Sequence, residues 1–124
     1  MSNILLLYVA DPTVSAAFYA KVLARPPVEQ SPTFALFMLD SGLAVGLWKK
    51  DGVAPAPASL PGACDLAFKV APDQINRLHA DWQAMGVSIA LPPTALDFGT
   101  SFVATDPDGH RLRVYALAEE MAAA

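Results

Sequence analysis

The chain opens on an apolar run over 3–9, rich in Leu, Ile and Val and closed by Asp11-Pro12, which predicts a strand buried on both faces. A helix is expected at once. Asp11 suits an N-cap, Pro12 the first helical position, and Val14, Phe18 and Val22 form a stripe at four-residue spacing before Arg25-Pro26-Pro27 ends it. Two strands over 34–39 and 43–49 follow, joined by the turn sequence Asp40-Ser41-Gly42, with a short edge strand over 28–31 before them. From 51 to 62 periodicity disappears and three prolines favour an extended linker.

The same order then returns. A strand is expected over 64–71, then a helix opening at Pro72-Asp73 with Ile75, Leu78, Trp82 and Met85 on one stripe, closed by Gly86. Strands over 87–91, 100–105 and 111–116 complete the pattern, the last two joined by Asp106-Pro107-Asp108-Gly109, which puts Gly where a positive φ is wanted. Val9-Ala10-Asp11-Pro12 is echoed by Val70-Ala71-Pro72-Asp73, so the chain reads as an internal duplication. The predicted class is α+β: a single domain over 1–124, with module one at 1–50, the linker at 51–62, module two at 63–118 and a short tail. A sheet with one helix can cover only one of its faces. The other face needs a partner, the second half or a second chain, and two curved half-sheets meeting this way would enclose a trough.

Composition narrows the class of partner. The 124 residues are 54% hydrophobic and 16% charged, which excludes a disordered tail. Eight Lys plus Arg against twelve Asp plus Glu give a net charge of -4 with no basic stripe, which argues against nucleic acid. The longest apolar stretch, 4–10, falls far short of the roughly 20 residues of a membrane span, so no membrane partner is expected. Cys64 has no second cysteine to pair with, and the first residues lack the basic region of a secretory signal, so the expected location is cytoplasmic.

Tyr8-Val9-Ala10-Asp11 leading into Ser15-Ala16-Ala17-Phe18-Tyr19, together with Phe102-Val103-Ala104-Thr105 running into Asp106-Pro107-Asp108-Gly109-His110, resembles the vicinal oxygen chelate superfamily. That superfamily includes glyoxalase I, extradiol dioxygenases and bleomycin-resistance proteins. The resemblance implies paired βαβββ modules around a trough and a homodimer. Its enzymes hold a divalent metal with four side chains, one each from the first and last strands of both modules, and on that pattern Ile4, Leu47, Asp65 and Arg113 stand at the four places. Of these only Asp65 could ligate, so no metal and no cofactor is expected. The likeness is greatest to the metal-free, antibiotic-sequestering members, phenazine- or bleomycin-binding, carried by Gly46-Leu47-Trp48, Phe98-Gly99-Thr100-Ser101-Phe102 and Arg113-Val114. In these a planar drug stacks on aromatic side chains, notably a Trp at the position of Trp48.

The expected ligand-binding residues are therefore Trp48, Arg113, Asp65, Phe37, Leu47, Phe98 and Tyr115, with no catalytic residue and a small aromatic compound as ligand. Gly46, on the same strand face as Trp48, would leave room beside the indole. Alternation also sets Trp48 opposite Leu47, so one of the two must face the helix unless a bulge intervenes. In the last strand Leu112 and Val114 would pack on the helix, sending Arg111, Arg113 and Tyr115 to the trough, where charge is costly unless paired. Asp65 alternates onto that side as well. The two are expected to form an ion pair, either purely structural or leaving Arg113 donors for a carboxylate or quinone-like oxygen. Phe18, Tyr19 and Trp82 are expected in the core, and Cys64 as a buried hydrophobe without nucleophile partners. Two rivals stand beside the binding protein: a lyase, isomerase or dioxygenase with unusual or absent metal, using Asp65 as base, and an interaction module whose trough is filled by its own side chains.

Overall fold

The structure, a computed structural model, describes residues 3–54 and 64–119. The chain divides into two compact units, Met1–Pro61 and Gly62–Ala124. The predicted linker's first residues belong to module one: a 3-10 turn forms over Lys50–Gly52, and Val53 is buried behind it. The rest of that segment, 55–63, lies outside the described residues.

Module one contains β1 (Ile4–Val9), α1 (Pro12–Val22), β2 (Glu29–Gln30), β3 (Phe34–Met38) and β4 (Ala44–Lys49). Its sheet runs β1-β4-β3-β2, with β1 parallel to β4 and the remaining pairs antiparallel. Helix α1 starts as the sequence requires, because Asp11 Oδ1 accepts from the Thr13 amide at 2.9 Å and Pro12 has no amide proton to leave unsatisfied. Its packing face differs from the expected stripe. Ser15, Ala16, Tyr19 and Val22 are buried, while Val14 is exposed and Phe18 only half-buried. Small residues at 15 and 16 let the helix approach the sheet closely, and Tyr19 lays its ring 6.4 Å from that of Phe37. The β3–β4 hairpin turns at Gly42 with φ +93°, and Arg25 clamps its base by donating to the Met38 carbonyl at 2.5 Å and to Asp40 at 2.7 Å.

Module two repeats the plan with β5 (Asp65–Lys69), α2 (Gln74–Ala84), β6 (Ser88–Leu96), β7 (Gly99–Thr105) and β8 (Arg111–Leu117), in the order β5-β8-β7-β6. Here β5 and β8 are parallel and the other pairs antiparallel. Ile75 and Trp82 anchor α2, the indole ring 5.3 Å from that of Phe102. Leu78 is half-buried and Met85 exposed, so the four-residue stripe predicted for this helix narrows to two anchors. Strand β6 continues past Leu91 through Pro92-Pro93 to Leu96. It can do so because it is an edge strand, pairing only with β7 through two register shifts that accommodate residues without an amide proton. Cys64 is exposed, correcting the expectation of a buried hydrophobe. Among the described residues no helix is long and apolar enough to cross a membrane.

Candidate functional site

Each sheet has one face under its helix and one that its helix leaves uncovered, called the open face although Ser101 and Val103 are buried on that of module two, and strand alternation assigns every candidate to one or the other. In module one Val45 and Leu47 of β4, Leu7 and Val9 of β1, and Ala35 and Phe37 of β3 are buried together on the α1 side. Phe37 and Leu47, both 0% exposed, are therefore core residues, correcting their placement among the ligand-facing candidates. The reason is register: Leu47 pairs with Leu7 and Ala35, and its neighbour Trp48 must point the other way. Trp48 lies on the open face, its ring edge-on to that of Tyr8 at 6.4 Å.

Across β1, β4 and β3 that face is apolar, with Glu29 of the edge strand β2 beyond them. Ile4, Leu6, Tyr8 and Met38 are all exposed there, at 47, 39, 42 and 40%, beside Phe34 and Trp48. Gly46 does not leave the expected vacancy, because a Cβ placed on it would lie 2.8 Å from Leu6 Cδ2 and 3.0 Å from Phe34 Cζ. The glycine instead admits those two side chains over the strand.

Module two's open face has different chemistry. Leu112, Val114 and Ala116 are buried towards α2, and Arg111, Arg113 and Tyr115 alternate to the other side with Asp65, Ala67 and Lys69 of the parallel β5. Arg113 donates from Nε to Asp65 Oδ2 at 2.7 Å, the expected ion pair, with side chains only 22% and 30% exposed. Its Nη1 donates to Ser101 Oγ at 3.1 Å. Phe98, exposed at the β6–β7 turn, sets its ring edge-on to Tyr115 at 6.0 Å. The structure thus brings Asp65, Arg113, Tyr115 and Phe98 together and assigns Trp48 to a different unit. Ser101 was not anticipated as part of this group. Its signal was a serine running into Phe102-Val103-Ala104, a polar group that burial obliges to find a partner.

The donor set does not suit a divalent metal. Ile4 has no donor, the β4 residues sharing its face are Ala44, Gly46 and Trp48, and Asp65 is committed to a guanidinium. Among the described residues one other group, Asp106, Asp108 and His110, has possible ligand atoms within 4.8 Å of one another. Asp106 is occupied there by the turn itself: Oδ1 accepts from the Asp108 and His110 amides at 2.9 and 2.8 Å, and Oδ2 meets His110 Nδ1 at 2.7 Å. That hydrogen bond is the main cause raising the His110 pKa above 6.5, with burial opposing it and the charges of Asp106 and Asp108 reinforcing it. The cluster fixes the turn that delivers β8.

Two βαβββ units with mixed four-stranded sheets define a glyoxalase-type fold. The sequence profile of the Glyoxalase/Bleomycin resistance protein/Dioxygenase superfamily matches residues 2–114, and the chain belongs to that superfamily. Among curated proteins it is similar to the phenazine antibiotic resistance protein EhpR of Enterobacter agglomerans, 25% identical over 119 residues that cover 93% of this chain and 91% of that one. Among solved structures it is similar to a protein of Agrobacterium tumefaciens determined by solution NMR, at 43% identity and a TM-score of 0.84, covering 95% of this chain and 98% of the other. A glyoxalase-related enzyme from Fulvimarina pelagi shares the fold at 24% identity and a TM-score of 0.79, over 94% of this chain and 87% of its own.

Proposed function

We propose that the protein is a metal-free binding protein that sequesters a planar aromatic compound, of the antibiotic-resistance type. The observation that carries this reading is the open apolar face of module one, where Trp48 and Tyr8 present aromatic surface that no helix covers. An offset-stacked ring there gains about 0.5 to 1.5 kcal/mol beyond the area it buries. The similarity to a phenazine resistance protein supports the ligand class. Sequestration acts by mass action, requiring affinity and abundance but no catalytic group. Homodimer formation belongs to the same reading, since each module leaves one sheet face without a helix.

Titration of the intrinsic Trp fluorescence with phenazines, quinones and glycopeptide drugs tests it. Saturable quenching that disappears in Trp48→Phe, with a raised melting temperature in the presence of the same compound, is the expected result. Unchanged emission and melting across the panel would sink the proposal for those classes. Stoichiometric divalent metal in protein purified without chelator would favour the enzyme reading instead.

A further inference from the structure

Three of the chain's eight Lys and Arg residues, Lys69, Arg111 and Arg113, alternate onto module two's open face, although the chain as a whole carries a net charge of -4. Arg113 is the more enclosed of the two arginines for which the structure defines a carboxylate partner, its side chain 22% exposed against 30% for Arg25. Its guanidinium has five N–H donors, of which Asp65 takes the one on Nε and Ser101 one on Nη1. No other bond to this guanidinium occurs among the described residues, which leaves one donor on Nη1 and two on Nη2, and the end-on edge presents at most one from each. That edge is a planar fork matching the two oxygens of a carboxylate. Asp65 and Ser101 hold the fork in one orientation, so binding an anion would cost little side-chain freedom. Arg111 sits opposite Asp65 in the register and adds positive potential to the same face. Tyr115, two residues beyond Arg113, carries the Phe98 ring at its edge, placing aromatic surface beside the fork.

We infer that module two's open face is a carboxylate site, Arg113 being the anion-binding residue and Ser101 and Asp65 its positioning residues. The ligand of this face is then an aromatic carboxylate rather than a neutral ring system, its ring set against Phe98 and Tyr115 of the same module, an assignment that rests on the aromatic-binding function proposed above. A neutral arene would leave the guanidinium edge desolvated without a partner, which disfavours it.

The test uses 2-naphthoate, its neutral counterpart 2-naphthamide, and acetate, which carries the anion without a ring. The full-length, isotope-labelled protein is titrated at neutral pH, following affinity and the Arg113 Nε–H resonance. Naphthoate should bind at least about tenfold tighter than naphthamide, and acetate should move the Arg113 resonance on its own. Arg113→Met should abolish the preference while keeping naphthamide affinity. Asp65→Asn, which removes the competing negative charge but keeps an acceptor, should strengthen naphthoate binding and so provides a second arm if the Arg113 variant folds poorly. Equal affinity for both naphthyl compounds with an unmoved Arg113 resonance overturns the inference and leaves the aromatic-binding function standing. An acetate-dependent shift without binding of either naphthyl compound upholds the carboxylate site and removes the aromatic function.

Discussion

The two modules are alike where their helices lie and unlike where they do not. Under α1 and α2 both sheets present buried aliphatic residues, Val45 and Leu47 in one and Leu112 and Val114 in the other, against an aromatic anchor, Tyr19 or Trp82. On the open faces the likeness ends. Module one shows Ile4, Leu6, Tyr8 and Trp48, whereas module two shows Asp65, Lys69, Arg111 and Arg113. A duplicated plan constrains the covered face, because close packing fixes volume and polarity there. The open face carries no such constraint and is where the halves of a duplicated fold can acquire separate chemistries.

The largest effect that tests this comparison comes from one substitution made in both modules. At Gly99, with φ +149°, an added Cβ would fall 1.9 Å from the Ala116 carbonyl oxygen, and backbone cannot step aside. Gly99→Ala should cost more than about 4 kcal/mol in chemical denaturation, or prevent folding altogether. Next, Phe37→Ala should lose about 3 kcal/mol or somewhat more, and Trp48→Ala only about 1 kcal/mol, if the first belongs to the covered face and the second to the open one. Equal losses at 37 and 48 would break the assignment of faces. Removing Arg113's charge by Arg113→Met should cost about 1 kcal/mol, since it strands Asp65 in a partly exposed pair. Gly46→Ala, the counterpart of the first substitution, should cost less than about 1 kcal/mol, because the obstructing atoms are the ends of the Leu6 and Phe34 side chains.

The smallest effect is a dependence on pH that arises at the turn before β8 in module two. The Asp106 hydrogen bond raises the His110 pKa on folding, so its contribution is fully present below about 6.5 and declines as pH rises through the folded-state value. Thermal melts of the protein and of His110→Gln should therefore differ most in mild acid and converge at alkaline pH. A constant gap would show that the histidine's charge plays no part in stabilising the turn.

Much of this arrangement could be read in the sequence, because the strongest signals were local. Asp11-Pro12 and Asp106-Pro107-Asp108-Gly109 fix their turn and cap geometry within a few residues, and both behave as expected. Alternation in β8 was legible because charged and aliphatic residues interleave, and it delivered the Arg113–Asp65 pair. In β4 the run Val45-Gly46-Leu47-Trp48 contains no polar residue, so hydrophobicity could not distinguish the faces. Only pairing with β1 and β3 settles that Leu47 is covered and Trp48 open. The α1 stripe was misplaced for a related reason. A pattern reading rewards large apolar residues such as Val14 and Phe18, whereas close helix–sheet contact uses small ones, Ser15 and Ala16. The extension of β6 through two prolines depends on its edge position, a property of the assembled sheet.

In each module the first strand is hydrogen-bonded to the last, β1 to β4 and β5 to β8. The Arg113–Asp65 bond accordingly joins residues 48 positions apart. Contacts this distant in sequence must await the chain between them. During synthesis, Asp65 leaves the ribosome long before Arg113 exists to meet it. No partial module can assemble that charged group, so the pair arrives in one step, once the final strand has emerged and docked.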